Sequence, residues 1–268
     1  MAKLETIVNF NIDSWPYTHS SMVPNSTPMF YGTDTEQLYN RNLKYAPQDW
    51  IYRDKKVNYA FNNYGLRMSD NITSEGKSIY FSGTSFTLGI GIDQNDRFSE
   101  LVSNDAKLDF INHSGPTYTI KVQVLSFFNY LKNHSKPDVL VIEYPPVSAT
   151  TFFNKDKAFF CYHNHMSSID EYAKLYKVSE NSNFFYEEAT YLRQQLKSVC
   201  KSLGIKLIEL TFKPKEQFII DNDIFAYDLD KVDTSDINLR YARDLFKDSG
   251  HPGIQVHKDI ADYILGRL

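Results

Sequence analysis

No run of about eighteen apolar residues occurs anywhere in the chain, so the sequence offers no membrane-spanning helix. Cysteine is scarce: Cys161 and Cys200 are too few for a disulfide framework or a zinc site, and both are expected to be buried or incidental thiols. There is no basic stripe. The 29 basic residues are outnumbered by 33 acidic ones, which argues against a partner such as duplex nucleic acid. Low-complexity linkers and internal repeats are missing too. The opening MAKLETIVNFNIDSWPY carries Glu5 and Asp13 and lacks an apolar core. No signal peptide is therefore expected, and a cytoplasmic or virion-associated product is.

What the chain does have is an apolar fraction of 42% over 268 residues, enough for one large domain or a domain with an extension. Phe and Tyr number 19 each. Residues 1–75 lack sustained periodicity yet carry Trp15, Tyr17, Phe30, Tyr31, Trp50, Tyr52, Tyr59 and Phe61, too many aromatics for a disordered tail. They read as an irregular extension that wraps the domain or meets a partner, with a short strand over 57–61 and a turn at 62–65.

From residue 76 the pattern changes. SIYFS (78–82), LDFIN (108–112), DVLVIEY (138–144) and IKLIEL (205–210) read as strands covered on both faces, with FII (218–220) as a fifth. Helical spacing appears over 119–132 with Thr119 as cap, over 184–203 with Gly204 as stop, and over 254–265. Strands alternating with helices predict a doubly wound α/β sheet, whose ligands sit beyond the carboxyl ends of its strands. Residues 145–183 are too long for an ordinary connection and predict a lid or an inserted helix around 168–177.

Two segments carry candidate chemistry. In Gly83-Thr84-Ser85-Phe86-Thr87-Leu88-Gly89 a strand runs straight into a turn, which exposes the Ser85 hydroxyl at the sheet edge and aims its N–H at a developing oxyanion. The spacing is neither GxGxxG nor the GxSxG elbow. A turn cap is the plainer alternative for Ser85. In Asp248-Ser249-Gly250-His251-Pro252-Gly253 the carboxylate lies three residues from the imidazole, close enough to orient it. A helix start would explain Asp248 and Pro252 but has no need of His251. Asp244 is a rival for Asp248. His163 and His165 fit a surface loop better than a metal site, and His257 fits a helix surface.

Together, FSGTSFTLGIGI and SGHPGIQVHKDIADYI resemble the first and last blocks of the SGNH (GDSL-type) hydrolase superfamily. FINHSGPTYT and KPDVLVIEY resemble the blocks between them, and FNNYGLRM resembles an Asn-x-x-Gly-Phe-Arg segment of many microbial and phage members. The resemblance covers about 57–147 and 240–265. It implies a three-layer α/β/α sandwich around a flavodoxin-like parallel sheet of about five strands, with no cofactor and no metal. It implies Ser85 as nucleophile, His251 as general base and Asp248 as its orienting acid. The oxyanion donors would be the backbone of Ser85 and, depending on register, of Gly115 or Thr117. Arg67, Asn112, Tyr144 and Ser148 are the candidate substrate or supporting groups, Arg67 by an acidic partner, most simply a structural salt bridge, or by clamping an anionic substrate.

The chain departs from the pattern twice. Gly-Asp-Ser is Gly-Thr-Ser here, and Tyr144-Pro145-Pro146-Val147-Ser148 stands where the third-block Asn is expected. Losing one oxyanion donor costs about 3 kcal/mol. The implied activity is hydrolysis of a small-molecule or glycan ester, such as an O-acetylated carbohydrate. The alternatives are a non-catalytic binding or structural module of a virion or envelope, and an O-acyltransferase using the same Ser–His pair. The extension is the expected surface for a homo-oligomer or assembly partner.

Overall fold

The computed structural model describes residues 7–9, 16, 18–19, 21–68, 76–147, 149–154, 157–161, 183–212, 224–229 and 251–268. In chain order the first elements are β1 (Ile7–Asn9), β2 (Thr18–His19), α1 (Glu36–Tyr45), β3 (Ser78–Gly83), α2 (Ser85–Leu88), α3 (Phe98–Ala106), β4 (Asp109–Ser114) and α4 (Ile120–Asn133). Then follow β5 (Val139–Tyr144), β6 (Thr150–Asn154), β7 (Lys157–Cys161), α5 (Phe184–Leu203), β8 (Lys206–Thr211), β9 (Phe225–Ala226) and α6 (Ile254–Leu265).

Five strands form one sheet in the order β4-β3-β5-β8-β9, with every neighbouring pair parallel. Alternation along each strand builds the layers. Tyr80, Leu140 and Ile142 meet Val124, Phe127 and Leu196 of α4 and α5 on one face. Ile79, Phe81, Val139 and Val141 meet Phe98, Val102, Val256 and Ile260 of α3 and α6 on the other. This is the three-layer α/β/α arrangement expected from the sequence. Because β3 pairs with β4 on one side and β5 on the other, chain direction diverges at β3, the switch point beyond whose carboxyl end doubly wound sheets place their ligands.

The cap and stop residues act as their types predict. The Thr119 hydroxyl accepts from Val122 N–H at 3.4 Å, and Gly204 closes α5 at φ +66°. Cys200 lies buried in α5, where burial pushes its thiol up to about 12. Deep in the same layer Arg193 holds both oxygens of Glu209, at 2.5 and 2.8 Å. Among the described residues no helix is long and apolar enough to cross a membrane.

One expectation about the strands needs correction. The 57–61 segment is not a strand. Its period-two burial is real, with Val57, Tyr59 and Phe61 inside. But Tyr59 and Phe61 donate to the carbonyls of Pro28 and Ser26, so the chain is extended without a ladder. The 145–183 region holds the β6–β7 hairpin, which joins β1 and β2 in a second, antiparallel sheet of order β2-β1-β7-β6. The fifth strand of the main sheet is β9. The strand expected over 218–220 and the helix expected around 168–177 fall outside the described residues.

The extension is a packed layer. Met22, Tyr31, Trp50, Tyr52, Tyr59 and Phe61 form a core with Leu88, Ile90 and Ile92, the residues just after α2.

His257 is also placed differently from expectation. It is fully buried in α6 and stacks on Phe98 at 5.4 Å, and its Nδ1 accepts from Phe98 N–H at 3.2 Å. Burial, then the charges of Arg97 and Arg67, push its pKa down to about 3. The folded state therefore keeps it neutral while the unfolded chain takes a proton below its ordinary value of 6.5. Its contribution is complete above that value and is lost as pH falls toward the folded one. The loss runs at about 1.4 kcal/mol per pH unit. Urea unfolding at pH 7 and pH 5 is expected to show a shallower pH dependence in His257→Asn than in the parent. Equal dependences would contradict a neutral buried His257.

Candidate active site

The carboxyl end of β3 gathers the two segments singled out in the sequence. Ser85 opens α2 directly after β3, separated by Thr84. Thr84 is extended (φ −88°, ψ −160°), and its hydroxyl accepts from Phe86 N–H at 3.2 Å. The tight turn depends on Gly83. A Cβ there would fall 2.0 Å from Thr87 Oγ1 and 2.7 Å from Glu143 Oε2, so any side chain would force the turn apart.

His251 sits three residues before α6 and reaches the same place. Its Nε2 lies 2.9 Å from Ser85 Oγ, across 166 residues of sequence. The imidazole is 7% exposed, and the Phe86 ring meets it edge to face at 5.2 Å. Phe86 is held in turn against Phe212 at 5.0 Å. On the far side of the ring, Thr33 Oγ1 from the extension stands 3.5 Å from His251 Nδ1. Nothing in the sequence pointed to Thr33, a turn residue more than two hundred positions away. Asp248, its rival Asp244, Ser148, His163 and His165 lie outside the described residues.

The loop after β4 forms the next wall. Gly115 donates its N–H to Gly83 O at 3.2 Å, and a Cβ on it would press into the Tyr118 ring at 2.6 Å. Thr117 holds φ +63°, the left-handed region that glycine enters freely and Thr enters at a cost.

The three other described candidates lie inside the protein, where each braces its neighbours, the supporting alternative that the sequence left open beside substrate contact. Arg67 is fully buried. Its Nη1 donates to the carbonyls of Leu88 and Gly89 at 2.9 and 2.6 Å, and its Nη2 to those of Asn58 and Ile92 at 2.8 and 2.7 Å. Its hydrogen bonds go to backbone carbonyls, where the sequence led us to expect an acidic partner or an anionic substrate. Asn112, equally buried, donates to Ser99 Oγ at 3.0 Å beneath α2. The Tyr144 hydroxyl donates to Glu209 Oε1 at 2.7 Å, inside the α5 layer and away from Ser85.

One participant was overlooked. Glu143, next to the last residue of β5, is 2% exposed and places one carboxylate oxygen against the turn that carries Ser85. The signal was present in the sequence, since an acid inside the apolar run VLVIEY must find donors if the run is buried.

No protein-family model and no curated protein matches the sequence. Solved structures resemble it in fold. A G-D-S-L-family protein from Desulfitobacterium hafniense DCB-2 aligns at 13% identity and TM-score 0.44, over 72% of this chain and 100% of that one. The psychrotrophic esterase EstA of Pseudoalteromonas sp. aligns at 11% identity and TM-score 0.45, over 71% and 96%. The acetyl xylan esterase Est2A from the rumen bacterium Butyrivibrio proteoclasticus aligns at 13% identity and TM-score 0.41, over 74% and 65%.

Proposed function

We propose that this chain is a serine ester hydrolase of the SGNH type, acting through an acyl-enzyme on a carboxylic ester such as an O-acetylated carbohydrate. The observation that carries the reading is the 2.9 Å approach of Ser85 Oγ to His251 Nε2 at the carboxyl edge of the sheet. A serine hydroxyl is a weak nucleophile unless a base takes its proton as it attacks. His251 is positioned for that transfer. Burial of the imidazole against Phe86 limits its motion.

In the first half-reaction Ser85 Oγ adds to the ester carbonyl and its proton passes to His251 Nε2. The oxyanion is received by the backbone N–H groups of Ser85 and Thr117. Thr117 suits that part better than Gly115, whose N–H is already given to Gly83. Collapse of the intermediate expels the alkoxide, which takes the proton from His251. Water then repeats the cycle on the acyl-serine. Asp248, three residues before His251, is the proposed partner of the imidazolium. The partly exposed Phe86 ring beside the dyad offers a flat face to a sugar. The short Ser–His distance also speaks against a purely structural module, which has no reason to hold these two groups in register.

A fluorophosphonate probe tests this directly. One phosphonyl group per chain is expected, attached to Ser85 by peptide mass mapping, with p-nitrophenyl acetate turnover falling in step. A protein that stays unmodified, or that carries the adduct elsewhere, would overturn the reading.

A further inference from the structure

A buried carboxylate beneath a nucleophile needs a reason to be there. Taking a carboxylate out of water costs several kcal/mol, and an apolar residue would complete the β5 run at no such cost. Glu143 nevertheless lies under the β3–α2 turn and spends a single oxygen on three donors. Its Oε2 accepts from Thr84 N–H at 2.6 Å, Thr84 O–H at 2.8 Å and Thr87 O–H at 3.0 Å. Burial pushes the Glu143 pKa up, and these donors pull it back down.

The three donors bracket Ser85. Thr84 precedes it and Thr87 lies on the following turn, so one carboxylate oxygen ties both ends of the 84–87 segment. Thr84 also relays the constraint forward, because its hydroxyl donates to Glu143 and accepts from Phe86 N–H. Phe86 in turn packs against His251. The same few atoms therefore set the direction of Ser85 Oγ and the position of the ring that takes its proton.

We propose that Glu143 is the positioning residue of the nucleophile turn, a strand-borne carboxylate that calls for a hydroxyl, and not a second carboxylate, at position 84. The interdependence is electrostatic. Thr84 Oγ1 already stands 2.8 Å from Glu143 Oε2, so an aspartate at 84 would set two carboxylates in contact in a water-poor site. One carboxylate is wanted there, and it is supplied either by the turn or by the strand. The Gly-Asp-Ser pattern places it on the turn; this chain places it on β5 and keeps a hydroxyl at 84. The proposal rests on the serine-hydrolase reading.

The test is a cycle of Glu143→Ala, Glu143→Gln, Thr84→Asp and the Thr84→Asp/Glu143→Ala double variant. Each is assayed for kcat and KM on p-nitrophenyl acetate and for the fluorophosphonate labelling rate per folded molecule. A displacement of the nucleophile by about 1 Å costs roughly 100-fold, so kcat and labelling are expected to fall by about that factor in Glu143→Ala and in Thr84→Asp, with KM within about twofold. Glu143→Gln keeps the shape and guards against loss of the fold. It should lose about tenfold, since a neutral acceptor holds the donors less firmly. The double variant is expected to recover at least about tenfold over either single one. Parental labelling rates in folded Glu143 variants would overturn the proposal, as would a double variant no better than its parents. A lowered melting temperature with unchanged labelling per folded molecule would reduce Glu143 to a structural role. A parent chain inert to the probe is a different failure, that of the hydrolase reading, and this proposal would fall with it.

Discussion

Ser85→Ala is expected to lower p-nitrophenyl acetate turnover by about four orders of magnitude or more, and His251→Ala by a similar factor, with the double variant no worse than either. The non-additivity is the informative part. Two residues that transfer one proton between them act as a unit, so removing the second after the first removes nothing further. The 2.9 Å contact predicts this behaviour, whereas two independent contributors would multiply their losses. Both substitutions should leave the fold intact. Ser85 is partly exposed, and His251 packs chiefly on Phe86 at the rim of the sheet rather than within either helix layer. Any residual rate in the double variant measures what the backbone donors and substrate binding supply alone. Turnover of Ser85→Ala at the parental rate would mean that hydrolysis happens elsewhere on the chain.

How much of this was legible in the sequence depended on whether the signal was local. The run over Val139–Tyr144 read as a strand buried on both faces because both faces are buried. The 184–203 helix was legible because its apolar spacing ends at a glycine that takes the left-handed conformation. Ser85 and His251 were legible for a reason that combines sequence with topology. Each sits in a turn flanked by a predicted element, and a parallel sheet brings its carboxyl-end loops together.

The misses are pairings across space. Residues 57–61 carry a true period-two pattern, but whether an extended segment joins a sheet depends on what lies beside it, here the carbonyls of Ser26 and Pro28. Strand β9 is too short, at two residues, to leave a pattern at all. Glu143 was hidden inside a strand that was itself correctly identified. Binary pattern says that a position is buried, not which turn it serves. Thr33 was invisible because contact between the extension and His251 is set by the shape of the third core, in which Trp50, Tyr59 and Ile90 are packed together.

Arg67 gives the largest expected effect on stability. A buried arginine facing a carboxylate can often be replaced by an apolar residue at little cost, because both charges are designed out together. Arg67 is the opposite case. Its acceptors are the carbonyls of Asn58, Leu88, Gly89 and Ile92, which belong to the backbone and stay when the side chain goes. The Leu88 and Gly89 carbonyls keep weaker donors, Arg97 Nη1 at 3.2 Å and Ile92 N–H at 3.3 Å, while those of Asn58 and Ile92 lose theirs, and each buried acceptor left without a donor costs about 1–3 kcal/mol. The Tyr59 ring, 4.2 Å from the guanidinium carbon, loses its cation as well. Burial and the neighbouring charge of Arg97 pull the Arg67 pKa down only to about 9, so the group remains charged at neutral pH. Arg67→Met, which keeps the length, is therefore expected to lose about 4 kcal/mol or more, a drop in melting temperature of about 10 °C. Arg67→Lys should recover little, because one ammonium cannot span two pairs of carbonyls the way a planar fork does. The more exposed Lys55–Asp96 pair is the control, and Lys55→Ala should change stability by less than about 1 kcal/mol. A melting temperature for Arg67→Met within a degree or two of the parent would mean that the chain after α2 is held by the aromatic core alone. The loss expected instead ties the extension physically to the turn that carries Ser85. The residues that Arg67 fastens are the ones that follow Ser85, and the segment that supplies Arg67 is the same one that brings Thr33 to His251.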